Sequence, residues 1–148
     1  MKHFFLLKTF IISLFFFTDV IAKESDHFLK AQKYFVNEEF EKSKFFFEKD
    51  LVFNPKHEDS YLYLAKIFNK NKNLKEQEIN LNTVLLLNPK NDEAIYLLTL
   101  IKIEQSDYSK AKELIGQFSL VCKSICFKKN EMEKKLNTLN PDNEKNIN

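Results

Sequence analysis

Cys122 and Cys126 are the only cysteines in the 148-residue chain, and they lie four positions apart. Two thiols at that spacing could form a disulfide, contribute to a metal site or run a redox cycle. Two thiolates with no histidine beside them do not complete a four-ligand zinc site. Neither a Cys-x-x-Cys pair nor a haem-attachment pattern is present. In an exported chain the default for such a pair is a disulfide. If continuous helix ran through both residues, their Cα atoms would sit near the upper limit of disulfide spacing. An oxidised pair therefore predicts a bend at this point, and free thiols are the alternative.

Other reactive groups are sparse. Beyond the first 22 residues the histidines are His27 and His57, both in polar stretches beside expected helix ends, where solvation is the expected role. Neither stands with a serine or cysteine in a nucleophile motif such as Gly-x-Ser-x-Gly. Glu38, Glu39, Glu41, Asp92 and Glu93 are interleaved with lysines, as on the solvated sides of helices. No pair of them is singled out for acid–base work. No catalytic residue, metal site or cofactor is expected.

The single glycine excludes phosphate-cradling loops and leaves little material for tight β turns. The net charge of +2 comes from 23 lysines, with no arginine, against 21 acids of mixed placement. Nucleic-acid binding needs clustered excess positive charge, which is missing here.

Residues 1–22 read as an export signal. Lys2 and Lys8 open it, Thr9 to Phe17 form a short apolar core, and Val20-Ile21-Ala22 offers a cleavage site. A membrane-spanning helix needs about 20 apolar residues, whereas Lys8 and Asp19 bracket only Thr9 to Thr18. The expected location is periplasmic or secreted. A retained membrane tether is the alternative.

The remaining chain repeats itself. Asn54-Pro55 and Asn88-Pro89 are 34 residues apart, and aligning on them brings like residues together. Ala31, Ala65 and Thr99 coincide, as do Phe40, Leu74 and Tyr108, and Phe47, Leu81 and Ile115. Each unit holds two helical stripes. In the second, Tyr61, Leu64, Ala65 and Phe68 share one helical face, Asn71-Lys72-Asn73 interrupts it, and Leu74, Leu81, Val84 and Leu85 form the next. Pro89 stops that helix. The units run 24–57, 58–91 and 92–123. Ile125, Met132, Leu136 and Leu139 mark a capping helix over 124–139, and 140–148 is a polar, frayed tail.

With these residues in place, the chain resembles the tetratricopeptide repeat (TPR) family, whose 34-residue helix-turn-helix units carry large, small and aromatic residues at these positions. The resemblance implies an all-α, right-handed superhelix of three repeats plus the cap. It departs from the family pattern at His27 and Lys30, which polarise the outermost helix, and at Asp50 and Gln77, which stand where small residues pack and predict splayed contacts there. Family geometry implies a concave groove lined by Phe28, Gln32 and Phe35, then Leu62, Lys66 and Asn69, then Tyr96, Leu100 and Ile103, with Lys66, Lys70 and Glu104 at its rim. The implied function is a non-enzymatic protein-interaction module or scaffold in the cell envelope that binds a peptide or protein segment. A membrane-tethered assembly factor and a self-associating structural protein are the alternatives. The acidic-tail clamp found in some members is not implied, because Phe28, Tyr63, Glu93 and Leu97 occupy its positions.

Overall fold

A computed structural model describes residues 24–139. The expected export signal and the polar tail lie outside the described residues. Within them the chain forms seven helices and no strands: α1 (Asp26–Val36), α2 (Phe40–Phe53), α3 (Glu58–Lys70), α4 (Leu74–Leu87), α5 (Asp92–Glu104), α6 (Tyr108–Val121) and α7 (Lys128–Leu139). The helices pack as hairpins α1–α2, α3–α4 and α5–α6, with α7 laid against α5 and α6. Among the described residues no helix is long and apolar enough to cross a membrane.

The 34-residue period is visible in backbone and side chains alike. Among the described residues Glu38, Lys72 and Ser106 are the non-glycine residues with positive φ, at 59°, 56° and 61°, and they are 34 apart. Each follows the first helix of a pair and closes a Schellman motif. Glu39 N–H reaches Tyr34 O at 2.9 Å, Asn73 reaches Phe68 at 2.9 Å, and Asp107 reaches Lys102 at 2.8 Å. Side-chain caps then start two of the next helices, the Glu76 amide donating to Asn73 Oδ1 and the Lys110 amide to Asp107 Oδ1. An L-residue in the left-handed region costs about 1–2 kcal/mol, and glycine's extra unfolded freedom offsets about 0.5–1 kcal/mol of that relief. Lys72→Gly and Ser106→Gly are each expected to raise stability by about 0.5–1 kcal/mol, read as a higher urea midpoint at unchanged slope.

Equivalent positions share burial. Ala31, Ala65 and Thr99 are fully buried, and so are Asp50, Val84 and Phe118. The interior is nevertheless split. Phe28, Ala31, Phe47, Leu64 and Ile67 form an aromatic-rich cluster at the first hairpin. A larger cluster runs from Leu62 and Ala65 through Ile95, Leu98 and Phe118 to Met132 and Leu136. Helix α3 supplies residues to both and is the link between them.

The two ends of the stack are closed differently. Lys30 and Lys33 of α1 occupy the places of Leu64 and Ile67, which are buried in the second unit. Among the described residues no hairpin precedes α1, and Lys30 lays its Nζ over the Phe46 ring at 4.5 Å while His27 stacks on Phe46 and Phe53. At the other end α7 inserts Met132 and Leu136 into the core.

The cysteine sulfurs stand at disulfide distance, with Cα atoms 5.3 Å apart. Helix α6 stops at Val121 and Cys122 is extended, so the chain bends across the pair as the spacing predicts. That turn occupies the first residues expected for the capping helix, which begins at Lys128 rather than residue 124. Closing a five-residue loop contributes about 2 kcal/mol on the loop-entropy view. Denaturant melts of Cys122→Ser with Cys126→Ser should show a loss of that size, matched by adding reductant to the parent.

Candidate functional site

Helices α1, α3 and α5 are the first members of the three hairpins, and they carry the nine residues expected to line a groove. These residues fall into different settings. Phe28, Leu62 and Ile103 are buried at 1%, 6% and 1% exposure and offer no area to a partner. Each belongs to one of the two cores, because side chains facing along the stack are covered by the neighbouring helices. Gln32, Phe35, Lys66 and Leu100 are half-buried, and Asn69 is exposed. Tyr96 is half-buried but already engaged. Its hydroxyl donates to Glu131 Oε1 at 2.8 Å, and Lys128 Nζ lies 5.2 Å from its ring centre. Burial, reinforced by the Glu131 charge, holds the phenol above its ordinary pKa, so it remains a donor. Tyr96 therefore secures α7.

The open part of the face has a mixed chemistry. Tyr63 stands at its centre. Its ring stacks on Phe47 at 4.9 Å and meets Phe35 edge-on at 5.0 Å, and its hydroxyl accepts from Gln32 Nε2 at 3.4 Å. Lys66 Nζ sits 4.9 Å from the same ring and pairs with Glu93 at 2.9 Å, bridging α3 to α5. Leu97 and Leu100 continue the surface along α5 as half-buried apolar side chains. The sequence places Tyr63, Glu93 and Leu97 at family clamp positions without marking them as the middle of the face. Their adjacency depends on how α3 and α5 stack.

Next to this face, a pocket of about 60 Å³ opens between α3, α4 and α5, lined by Asn69, Gln77, Leu97, Leu100, Ile101 and Glu104. Gln77 is 2% exposed. Its Oε1 is the only fully buried side-chain polar atom of the described residues left without a hydrogen bond. A buried acceptor left without a hydrogen bond costs about 1–3 kcal/mol. Gln77, where a splayed contact was expected, thus lines a small pocket and keeps an unpaired acceptor in the interior.

Asp50, the other residue expected to splay its contact, does something else. It is fully buried and takes four hydrogen bonds from three helix ends. The hydroxyl of Ser25, which caps α1, donates to Oδ1, as does Asn54 Nδ2 at 2.9 Å. His57 Nδ1 and the Ser60 hydroxyl each donate to Oδ2 at 2.6 Å. Burial pushes the carboxyl pKa up, but the bonds from Ser25, Ser60, His57 and Asn54 outweigh it and the net shift is downward. His57, expected to be solvated, is folded into this network while staying partly exposed, with its ring 4.4 Å from that of Phe28. The serine, histidine and aspartate together do not make a hydrolytic triad. Ser60 is fully buried and both its hydroxyl and the His57 Nδ1 serve the same carboxylate oxygen, whereas a triad needs a reachable hydroxyl on the far ring nitrogen. A cavity of about 430 Å³ lies beside the network, lined by residues including Ser25, Phe53, Asn54 and His57.

The clue to this network was the alignment itself. One repeat later, Asp50 and Ser60 become Val84 and Ala94, both fully buried. One junction is polar and hydrogen-bonded, and the next is apolar at the same positions. A polar residue replacing its apolar equivalent in a repeat calls for partners, and Ser25, His57 and Ser60 were within reach of the same helix ends.

No known family model matches the chain, and no curated protein matches it. Solved structures do. The first TPR domain of Spaghetti (RPAP3) bound to the HSP90 peptide SRMEEVD aligns with a TM-score of 0.68 at 17% identity, covering 76% of this chain and 90% of that one. The TPR2B domain of yeast Sti1, in a complex with pHsp70, aligns with a TM-score of 0.67 at 14% identity, covering 76% and 94%. A chain of the CopN–Scc3 complex aligns with a TM-score of 0.61 at 12% identity, covering 81% and 78%. The fold of this chain is that of TPR-like helical repeats.

Proposed function

We propose that this chain is a non-enzymatic adaptor of the cell envelope that holds a peptide or protein segment against the inner face of its hairpins. The observation that carries the reading is the open strip of Phe35, Tyr63, Leu97 and Leu100. It stays accessible while its neighbours Phe28, Leu62 and Ile103 are consumed by the core. Half-buried aromatic and aliphatic side chains on rigid helices supply area at low entropic cost. The peptide-bound RPAP3 domain supports such a use of the fold. The partner differs in kind from the acidic SRMEEVD peptide of that structure. Here Tyr63, Glu93 and Leu97 stand at the clamp positions, and Lys66 is already neutralised by Glu93. Export rests on the charge, apolar core and cleavage pattern of residues 1–22, and mass measurement of the mature protein separates cleavage from a retained tether.

The test is Leu100→Asp. Its side chain is half-buried at the edge of the face, so the helical circular-dichroism spectrum should persist. Crosslinked capture of envelope partners should fall at least about tenfold, the effect of losing roughly 1.4 kcal/mol of contact. Undiminished capture would remove this face from the binding surface.

A further inference from the structure

We propose that the Cys122–Cys126 pair is a redox-sensitive latch, which holds the cap α7 on the last repeat when oxidised and frees it when reduced. The device stands apart from whatever the inner face binds.

The loop that closes a repeat is held to the start of that repeat's own first helix. In the second unit Asn88 and Asn91 each donate a side-chain amide to Glu58 at the head of α3, at 2.9 and 3.4 Å. Pro89 stiffens the loop between them. One period later Asp92 stands in the place of Glu58, and Cys122 and Lys123 stand in the places of Asn88 and Pro89. The same clasp is made there by other means. The backbone amides of Lys123 and Ser124 donate to Asp92 Oδ2 at 2.9 and 3.3 Å. The loop carrying those amides is closed by Cys122 and Cys126 instead of being stiffened by a proline. The junction leading to α7 therefore depends on a bond that chemistry can open and close, where the preceding junction depends on a permanent ring.

The pair is within reach of a reagent. Cys126 is exposed, Cys122 is half-buried, and Lys123 and Ser124 between them are exposed. A dithiol reductant attacks one sulfur and leaves as its own disulfide. The S–S bond breaks, and Cys122 and Cys126 each take one electron and one proton to become thiols. The freed loop regains conformations that the crosslink denied it, so holding its amides in an arc around Asp92 becomes costlier. The buried residues of α7 are Met132 and Leu136, and at its edge Glu131 accepts from Tyr96 at 2.8 Å. Opening of α7 withdraws those two side chains from the core and releases Tyr96 on α5.

Hydrogen exchange of the full chain, first oxidised and then reduced with a dithiol, provides the test. After reduction the α7 amides should exchange at least about tenfold faster, the scale set by freeing a loop this short, while α1 to α4 keep their protection. Reoxidation should restore the slow rate. Cys122→Ser with Cys126→Ser should exchange like the reduced parent and ignore the reductant. Asp92→Ala, with the disulfide intact, should by itself speed α7 exchange several-fold, and reduction should then add less than it does in the parent. An α7 rate that is the same in both redox forms overturns the latch, and so does an equal rise in all seven helices. Reduction of the parent needs no substitution, so a folding defect in a variant cannot obscure either outcome.

Discussion

Asp50→Val is expected to cost about 1–3 kcal/mol of folding stability, the range for leaving a buried donor without its acceptor. The carboxylate ties together the N-cap of α1, the last turn of α2 and the first turn of α3. Without it the fully enclosed Ser60 hydroxyl keeps only a long 3.3 Å contact with His57 Nδ1 in place of its 2.6 Å bond to the carboxylate. Ser25 and His57 are partly exposed and can turn to water. The second junction supplies the control. Adding Ser60→Ala to Asp50→Val reproduces the Val84–Ala94 pairing, and it should restore part of the loss by removing the stranded donor. Urea melts of the two single variants and the double variant measure this coupling. Strict additivity would mean that Ser60 and Asp50 act independently and that the network is not a unit.

The same residue sets an acid limit. Its folded-state pKa lies below the ordinary value, so its contribution is complete above the unfolded pKa of about 3.9 and is lost as pH falls through the folded value. Glu78 and Asp92 move in the same direction. Glu78 is drawn down mainly by Lys102, with Gln105 assisting and burial opposing. For Asp92, burial pushes up, but backbone amides of Lys123, Ser124, Glu93 and Ile125 prevail. The parent should therefore lose thermal stability steadily from about pH 5 downward. Asp50→Val, less stable at neutral pH, should show a shallower acid slope.

Phe47→Ala is the second large effect, at about 3–5 kcal/mol for an enclosed phenylalanine. Its ring is fully buried between Phe28, at 5.6 Å, and Tyr63, at 4.9 Å, and so joins α1, α2 and α3. The consequence is expected to be local. The first hairpin has its own small core, connected to the rest through α3. In stacked hairpins stability is close to a sum of unit and neighbour terms. Hydrogen exchange should show α1 and α2 losing protection first, while α5, α6 and α7 stay closed. Uniform loss across all seven helices would show that the two clusters fold as one unit. Tyr63 is also the centre of the open face, so a melted first hairpin should weaken partner binding even though Phe47 never touches the partner.

Much of the fold was legible because its causes are local. Ala31, Ala65, Phe47 and Leu81 could be placed in the interior from spacing alone, since a helix buries the same face at each turn. Asn73 and Asp107 announce helix starts through their own side chains. Glu38, Lys72 and Ser106 gave no such sign. None is glycine, and their left-handed backbone is set by the helix-end hydrogen bonds that close each Schellman motif. His27 and Lys30 marked the first helix as polar on its outer side, and among the described residues no hairpin precedes it.

The site was less legible. Phe28, Leu62 and Ile103 look like open groove residues in a single repeat, and only the next helix in the stack covers them. Tyr96 was taken by α7, whose Glu131 lies 35 residues later. The Asp50 network draws on residues from 25 positions before to 10 after, each ordinary by itself.

Order along the chain therefore settled the repeat length, the helices and most of the buried positions, because backbone hydrogen bonds and one-sided burial act within a turn or a hairpin. Stacking decided which inner side chains remain open, where Asp50 finds its donors and why Gln77 has none. Those outcomes depend on the offset between neighbouring hairpins, a property of packed surfaces that residue spacing does not encode.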